Sequence, residues 1–235
     1  MSNLAILNNI DHKDLKIIET RSDQHQDNTM CVATFPSEFR ALQSTYPIVF
    51  GLNSQSNAYT PLALLGLEKD ENLFLKDGAW DARYVPVCAA CKPFLIGPQS
   101  IEGDQQWVIH VDMDSPKLSF TDGTPLFKDQ GGTSDFLLGI SDKLKRVHEG
   151  IKDVEPMLEI LKKFDLLEEF SAEISLSNGQ KNRLTGFHTI NEDKLLNLDS
   201  TAISALHESG YLADIYMQIA SLSQISHLIE RKNNC

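Results

Sequence analysis

The sequence predicts an α+β fold, with an antiparallel β-rich N-terminal part followed by a helical part that carries its own hairpin. Three observations carry this. Up to about Phe120 the apolar residues come in short β-branched or aromatic runs separated by Gly, Asp, Asn or Pro. From about Ser134 they recur at three- and four-residue intervals. The strand-like runs also follow one another too closely for crossover helices, which requires antiparallel pairing.

The elements follow in order. Leu15, Ile17 and Ile18 predict a short strand, and the polar stretch from Arg21 to Thr29 predicts a loop. Met30 to Phe35 predicts a strand stopped by Pro36. Ser37 then opens a short helix with Phe39, Leu42 and Tyr46 on one side, which ends before Pro47. Ile48-Val-Phe50, Pro61 to Leu67, Asn72 to Leu75 and Trp107 to Val111 predict further strands. Lys76-Asp-Gly78 predicts a hairpin turn between Leu75 and Trp80. Phe136, Leu137, Ile140, Leu144, Val147 and Ile151 make one helical stripe, and Asp153 with Pro156 starts a second helix. Ala172, Ile174 and Leu176 alternate before an Asn178-Gly179 turn, and Arg183 to Ile190 returns. Asp199 or Ser200 starts a helix stopped by Gly210, and one last helix is predicted from Tyr211 to Arg231. The change of grammar divides the chain into residues 1–132 and 133–235, either two parts or one integrated domain.

With 21 Lys and Arg against 33 Asp and Glu, the net charge is −12. Such a surface repels a phosphate backbone or an anionic bilayer, so neither nucleic-acid binding nor membrane insertion is expected. No apolar run approaches the roughly 20 residues that cross a bilayer. The N-terminus lacks the basic start and long apolar core of a secretory signal, and four cysteines do not make a disulfide scaffold at this length. The expected location is the cytoplasm.

Several residues have chemistry worth weighing. Cys88-Ala-Ala-Cys91 has the spacing of a redox pair or of half a zinc site. Pro93 cuts the following helix short, and no second pair exists to complete a zinc site, so two small core residues are expected. His110-Val-Asp112 places an imidazole and a carboxylate on one face of a strand. That is the opening pair of a two-histidine, one-carboxylate iron site, with His148, His188, His207 and His227 available as a third ligand. His188 by itself reads as a hydrogen-bonded core histidine. No nucleophile elbow or phosphate loop appears, nothing marks Ser221 as activated, and no metal or other cofactor is expected. Trp80, Arg83, Tyr84 and Phe94 form the densest aromatic and cationic group. They are either core anchors or the lining of a peptide or sugar pocket.

Three stretches carry a resemblance that runs along most of the chain. The first extends from Tyr46-Pro-Ile-Val-Phe50 through Leu62-Ala-Leu-Leu-Gly-Leu67 to Asn72-Leu-Phe-Leu75. The second is Trp80-Asp-Ala-Arg-Tyr-Val-Pro86 with Pro93-Phe94. The third runs from Val111-Asp-Met-Asp-Ser-Pro116 to Leu126-Phe127. Leu184-Thr-Gly-Phe187, Gly210-Tyr-Leu212 and Ser221-Leu222 extend the pattern. In these the chain resembles the SapC-like family, bacterial proteins named after an S-layer locus. The resemblance implies a whole-chain family of unassigned activity, with no catalytic residue to carry over. It implies an accessory role in nutrient uptake or substrate modification, and the S-layer label implies a surface-layer subunit as another reading. The leading expectation is a non-catalytic accessory protein that binds a protein or peptide partner. An iron-dependent oxygenase-like enzyme using His110 and Asp112 is its rival.

Overall fold

The computed structural model describes residues 3–53, 55–101 and 104–234, so Cys235 lies outside the described residues. In chain order the elements are β1 (Leu4–Ile6), β2 (Lys16–Ile17), β3 (Cys31–Ala33), α1 (Phe39–Leu42), β4 (Ile48–Asn53) and β5 (Ala58–Leu64). Then come β6 (Leu75–Lys76), β7 (Ala79–Trp80), α2 (Val87–Cys91), β8 (Phe94–Ile101), β9 (Asp104–Asp112), β10 (Leu118–Ser119) and β11 (Thr124–Pro125). The rest is α3 (Asp135–Ile151), α4 (Val154–Lys163), β12 (Leu167–Ser175), β13 (Lys181–Ile190), α5 (Glu192–Leu196), α6 (Ser200–Glu208), α7 (Leu212–Ser221) and α8 (Gln224–Asn233). All the described strand pairs are antiparallel, and the helices concentrate in the C-terminal half, so the fold is α+β as the sequence grammar requires.

The chain packs as two units, each made of several segments. The first comprises Met1–Asn28, Leu75–Asp81 and Val87–Glu149. Its principal sheet has the order β1-β9-β8, with Ile6 and Leu95 both opposite His110. A small sheet, β10-β2-β11, and the β6-β7 hairpin complete its strands. In that hairpin Asp77 and Gly78 both have positive φ (51° and 77°), the conformation that matches a two-residue turn to the twist of its strands. Helix α3 packs on one face of the principal sheet, on which Trp107 stays 51% exposed. Phe94 is buried with its ring 6.4 Å from that of Phe136, and the Trp107 ring lies 3.9 Å from that of His148.

The second unit comprises Thr29–Phe74, Ala82–Pro86 and Gly150–Cys235. Its sheet has the order β12-β13-β4-β5-β3, so the late hairpin adds to strands from the first third of the chain through Phe187 opposite Gly51 and His188 opposite Phe50. Helix α7 seals this junction with two fully buried polar side chains. Ile48 N–H donates to Ser221 Oγ (2.9 Å), and Gln218 Nε2 donates to Ile48 O (2.7 Å) and to Thr189 Oγ1 (3.1 Å). Burying α7 here leaves no main-chain polar group of Ile48 without a partner. Ser221, which the sequence gives no sign of activating, is a structural hydroxyl that also donates to Gln218 O (2.5 Å).

Several elements differ from expectation, each for a local reason. The single last helix is two, because around Leu222 the chain tightens to three-residue bonds (Leu222 N–H to Ile219 O, 3.1 Å). The hydroxyls of Ser223 and Ser226 then bond carbonyls three residues back. Of the strand predicted from Asn72 to Leu75 only Leu75 belongs to one (β6); Leu73 and Phe74 form a turn, where Asn72 Oδ1 accepts from Phe74 N–H (3.0 Å). Strand β8 escapes notice because it contains Gly97 and Pro98, which an edge strand tolerates. Helix α5 is set by Asn191, whose side chain accepts from Lys194 N–H (2.7 Å). Asp199 caps α6 as expected, accepting from Ala202 N–H (2.8 Å).

On α7, Asp214 is half-buried. Burial pushes its carboxyl up to about 6; Arg40 of α1 pulls it back, and Asp153 pushes it further. A carboxyl raised in the folded state stabilises the fold while neutral. That contribution is full below the ordinary value of 3.8 and is lost as pH rises through about 6. Urea unfolding across this window is therefore expected to show stability falling with rising pH. In Asp214→Asn this slope should flatten and the neutral-pH midpoint should rise; an unchanged slope would remove Asp214 as its source.

Candidate functional site

The residues predicted to bear chemistry are distributed over both units. In the first, Trp80 sits half-buried at the end of β7 and faces the Arg21 guanidinium at 5.7 Å, while Phe94 is a core residue beneath α3. In the second, Tyr84 donates its hydroxyl to the buried Glu38 (2.9 Å) and accepts from Tyr46 OH at its carbonyl (2.6 Å). Thr34 donates to the other Glu38 oxygen (2.6 Å), so hydroxyls hold this carboxylate. Arg83 is exposed. Cys88 and Cys91 both lie on the five-residue α2, with Cys91 buried and Cys88 half-buried.

His110 and Asp112 share a face of β9, as strand alternation dictates. It is the face opposite the α3-packed side, and three apolar side chains stand open on it around His110: Leu4 (51% exposed), Ile6 (37%) and Leu95 (46%). Val108 is half-buried on the same face. The imidazole rests on the backbone of β8, since a Cβ at Gly97 would come within 2.9 Å of His110 Nε2. Asp112 Oδ1 accepts from Asp114 N–H (3.2 Å). Among the described residues no three His, Cys, Asp or Glu side chains gather to hold a metal ion. His148, one of the proposed third ligands, packs on Trp107 on the opposite side of the sheet. The pair thus stands among exposed apolar side chains on that face.

His188 differs from the hydrogen-bonded core histidine expected. It is half-buried with its ring edge-on to Tyr59 at 4.9 Å, and its buried Nδ1 has no hydrogen-bond partner. Separately, a cavity of about 560 Å³ in the second unit is lined by Phe164, Leu198, Asp199, Ala202 and Ala205, with Lys163 beside them.

The most constrained polar centre lies in the first unit, within and beside the segment read from sequence as a simple loop. Asp27 is buried (side chain 1% exposed) and accepts from Lys117 Nζ (2.7 Å; side chain 4% exposed), Arg21 Nη1 (3.2 Å) and Ser22 N–H (3.1 Å). Lys117 Nζ also donates to Thr20 O (3.2 Å), and Arg21 Nη1 to Ala89 O (3.0 Å). Burial pushes the Lys117 ammonium down, the Asp27 bond and charge oppose this, and Arg21 and Lys92 reinforce it. Beside the cluster lies an open cleft of about 490 Å³, lined in part by Arg21, Ser22, Asp23, His25, Lys76 and Asp77. Ser22 Oγ and His25 Nδ1 are 2.9 Å apart at its wall. Sequence reasoning missed this centre because Asp27 and Lys117 are 90 residues apart, and a lone Lys or Asp between polar neighbours reads as surface.

Removing one partner of such a cluster leaves an unpaired buried charge. Asp27→Asn is expected to cost about 3–5 kcal/mol in urea unfolding, and the double variant Asp27→Asn/Lys117→Met to regain a large part of the loss. Equal destabilisation by both variants would show that the carboxylate acts otherwise than by neutralising Lys117.

No helix among the described residues is long and apolar enough to cross a membrane. No curated protein and no solved structure matches this chain. The SapC family model matches residues 7–228, nearly the whole length and both packed units. The chain belongs to the SapC family.

Proposed function

We propose that this SapC-family chain is a non-catalytic accessory protein that binds a protein or peptide partner, and that the open face of the β1-β9-β8 sheet is where the partner docks. The observation that carries this reading is the cluster of Leu4, Ile6 and Leu95 standing exposed around His110. Isolated exposed apolar residues are ordinary, but three adjoining ones on the free side of a sheet make a contiguous patch. Two strands over the roughly seven residues from Gln106 to Asp112, with the shorter β1 beside them, cover on the order of 280 Å². A stable interface with a second folded domain uses roughly 800 Å² per partner. The patch therefore suits an extended segment of a partner better than a second copy of this chain.

The charge of the face narrows the segment further. Asp112 lies on it and Asp114 beside it, and no Lys or Arg stands among the residues of this face. A segment with apolar residues for the Leu4, Ile6 and Leu95 patch and a Lys or Arg for Asp112 is complementary to it.

A photo-crosslinking residue placed at Leu95, with the protein expressed in its own host, tests this directly. One discrete crosslinked polypeptide is expected, lost when Ile6→Glu is added and retained when the exposed Leu196 of α5 is changed to Glu instead. No adduct, or an adduct indifferent to Ile6→Glu, would overturn docking at this face. Bound iron lost on His110→Ala would transfer the face to the enzymatic reading.

A further inference from the structure

We propose that the cleft beside Arg21 binds an oxyanion, a carboxylate or a phosphate group, through the outward edge of the Arg21 guanidinium. This goes beyond the accessory reading and rests on a different part of the first unit.

The first argument is pre-organisation. Arg21 is held at three points: Nη1 is committed to Asp27 and to Ala89 O, its main-chain N–H donates to Gly78 O (2.9 Å), and its guanidinium lies over Trp80. Among the described residues Nη2 and Nε have no protein acceptor, and the side chain as a whole is 18% exposed. A guanidinium fixed along one edge and open along another presents the parallel N–H pair that suits two oxygens of a carboxylate or phosphate. The ordering entropy a flexible arginine would lose on binding has already been lost in folding.

The second argument is charge. Arg21 and Lys117 share the one buried Asp27 carboxylate, and Lys92 adds a further positive contribution at Lys117. The Arg21–Asp27–Lys117 cluster carries a net positive charge on a chain whose total is −12, and Arg21 is its member at the cleft. Asp23 and Asp77 line the same cleft and oppose an anion. Both are exposed, so water and salt screen them, while the buried surplus acts through a less polarisable medium.

The third argument is the remaining wall. The exposed Lys76 lines the same cleft and supplies a second cation, and the Ser22 hydroxyl and His25 ring, hydrogen-bonded to each other (2.9 Å), make a polar wall beside it. Asp27 also holds the Ser22 main chain through its N–H. The carboxylate that orients Arg21 therefore orients Ser22 as well.

The test is an amide and arginine Nε NMR titration of the full chain with sodium acetate and, separately, with inorganic phosphate at matched ionic strength. Saturable shifts at Arg21 Nε and at the Ser22, His25 and Gly78 amides are expected. In Arg21→Lys, which keeps the charge but loses the fork, the apparent affinity should fall about tenfold. Ser22→Ala, a mild change at the wall, should weaken binding less. Response to acetate alone assigns a carboxylate ligand, and response to phosphate alone assigns a phosphoryl group. No saturable shift, or the same shift with sodium chloride, would overturn the proposal. A Leu95→Glu variant should bind the anion unchanged, which separates this outcome from any failure of the sheet-face reading.

Discussion

The Asp27 carboxylate is the constraint on which the first unit turns. Taking a carboxylate out of water costs several kcal/mol unless charged and hydrogen-bonded partners replace the solvent. Here the replacement is drawn from well-separated stretches of chain: Arg21 and Ser22 just before it, and Lys117 after β9. Through Arg21 the cluster reaches further, to Ala89 on α2, to Gly78 at the hairpin tip and to the Trp80 ring. Loop, hairpin, short helix and the segment after β9 are therefore all tied to one buried charge, in addition to their own main-chain bonds and buried apolar residues.

The second unit solves the corresponding problem without charge. Its five-stranded sheet is assembled from strands more than a hundred residues apart, and loop closure over that separation must be offset by contacts that form only in the final arrangement. Gln218 and Ser221 supply such contacts, bonding Ile48 and Thr189 at the junction of β4 and β13. A neutral amide and a hydroxyl suffice because the groups they satisfy are neutral main-chain atoms. The same principle, no buried polar atom without a partner, thus yields an ion cluster in one unit and an amide clasp in the other. Against that background the buried, unpartnered Nδ1 of His188 is one exception among the described residues.

What was legible in the sequence follows from how local each signal is. Periodicity gave α3 and α4, Asp199 and Gly210 bracketed α6, and the Asp77-Gly78 and Asn178-Gly179 turns marked two hairpins, since all of these act within a few residues. Strand β8 was hidden by its own Gly97 and Pro98, and the division of the last helix by hydroxyls that read as ordinary helix surface. The destination of the β12-β13 hairpin was hidden for another reason. Alternation says that a strand pairs, not with which partner. The site was less legible than the fold for the same cause. His110 and Asp112 could be placed on one face because their relation is local. The Arg21–Asp27–Lys117 centre could not be found, because no residue in it is unusual until the others are in place.

The same contrast between local and distant signals applies to the face around His110. The open face of β1-β9-β8 depends on two sequence features of little individual weight. One is the placing of Leu4, Ile6 and Leu95 opposite His110 and Asp112; the other is Gly97, which lets the imidazole lie against the sheet. A side chain at Gly97 would displace the ring and change the shape of the patch without altering its hydrophobicity. The docking reading and a metal reading of His110 therefore make opposite demands on one side chain. Docking requires the imidazole to stay against β8 as part of the floor, whereas a ligand role requires it to turn toward a third donor. The structure shows the imidazole against β8, and among the described residues no third donor gathers with the pair. Packed against Gly97, His110 is the polar point among the exposed Leu4, Ile6 and Leu95, and on the docking reading it would add selectivity to a contact that those three side chains drive.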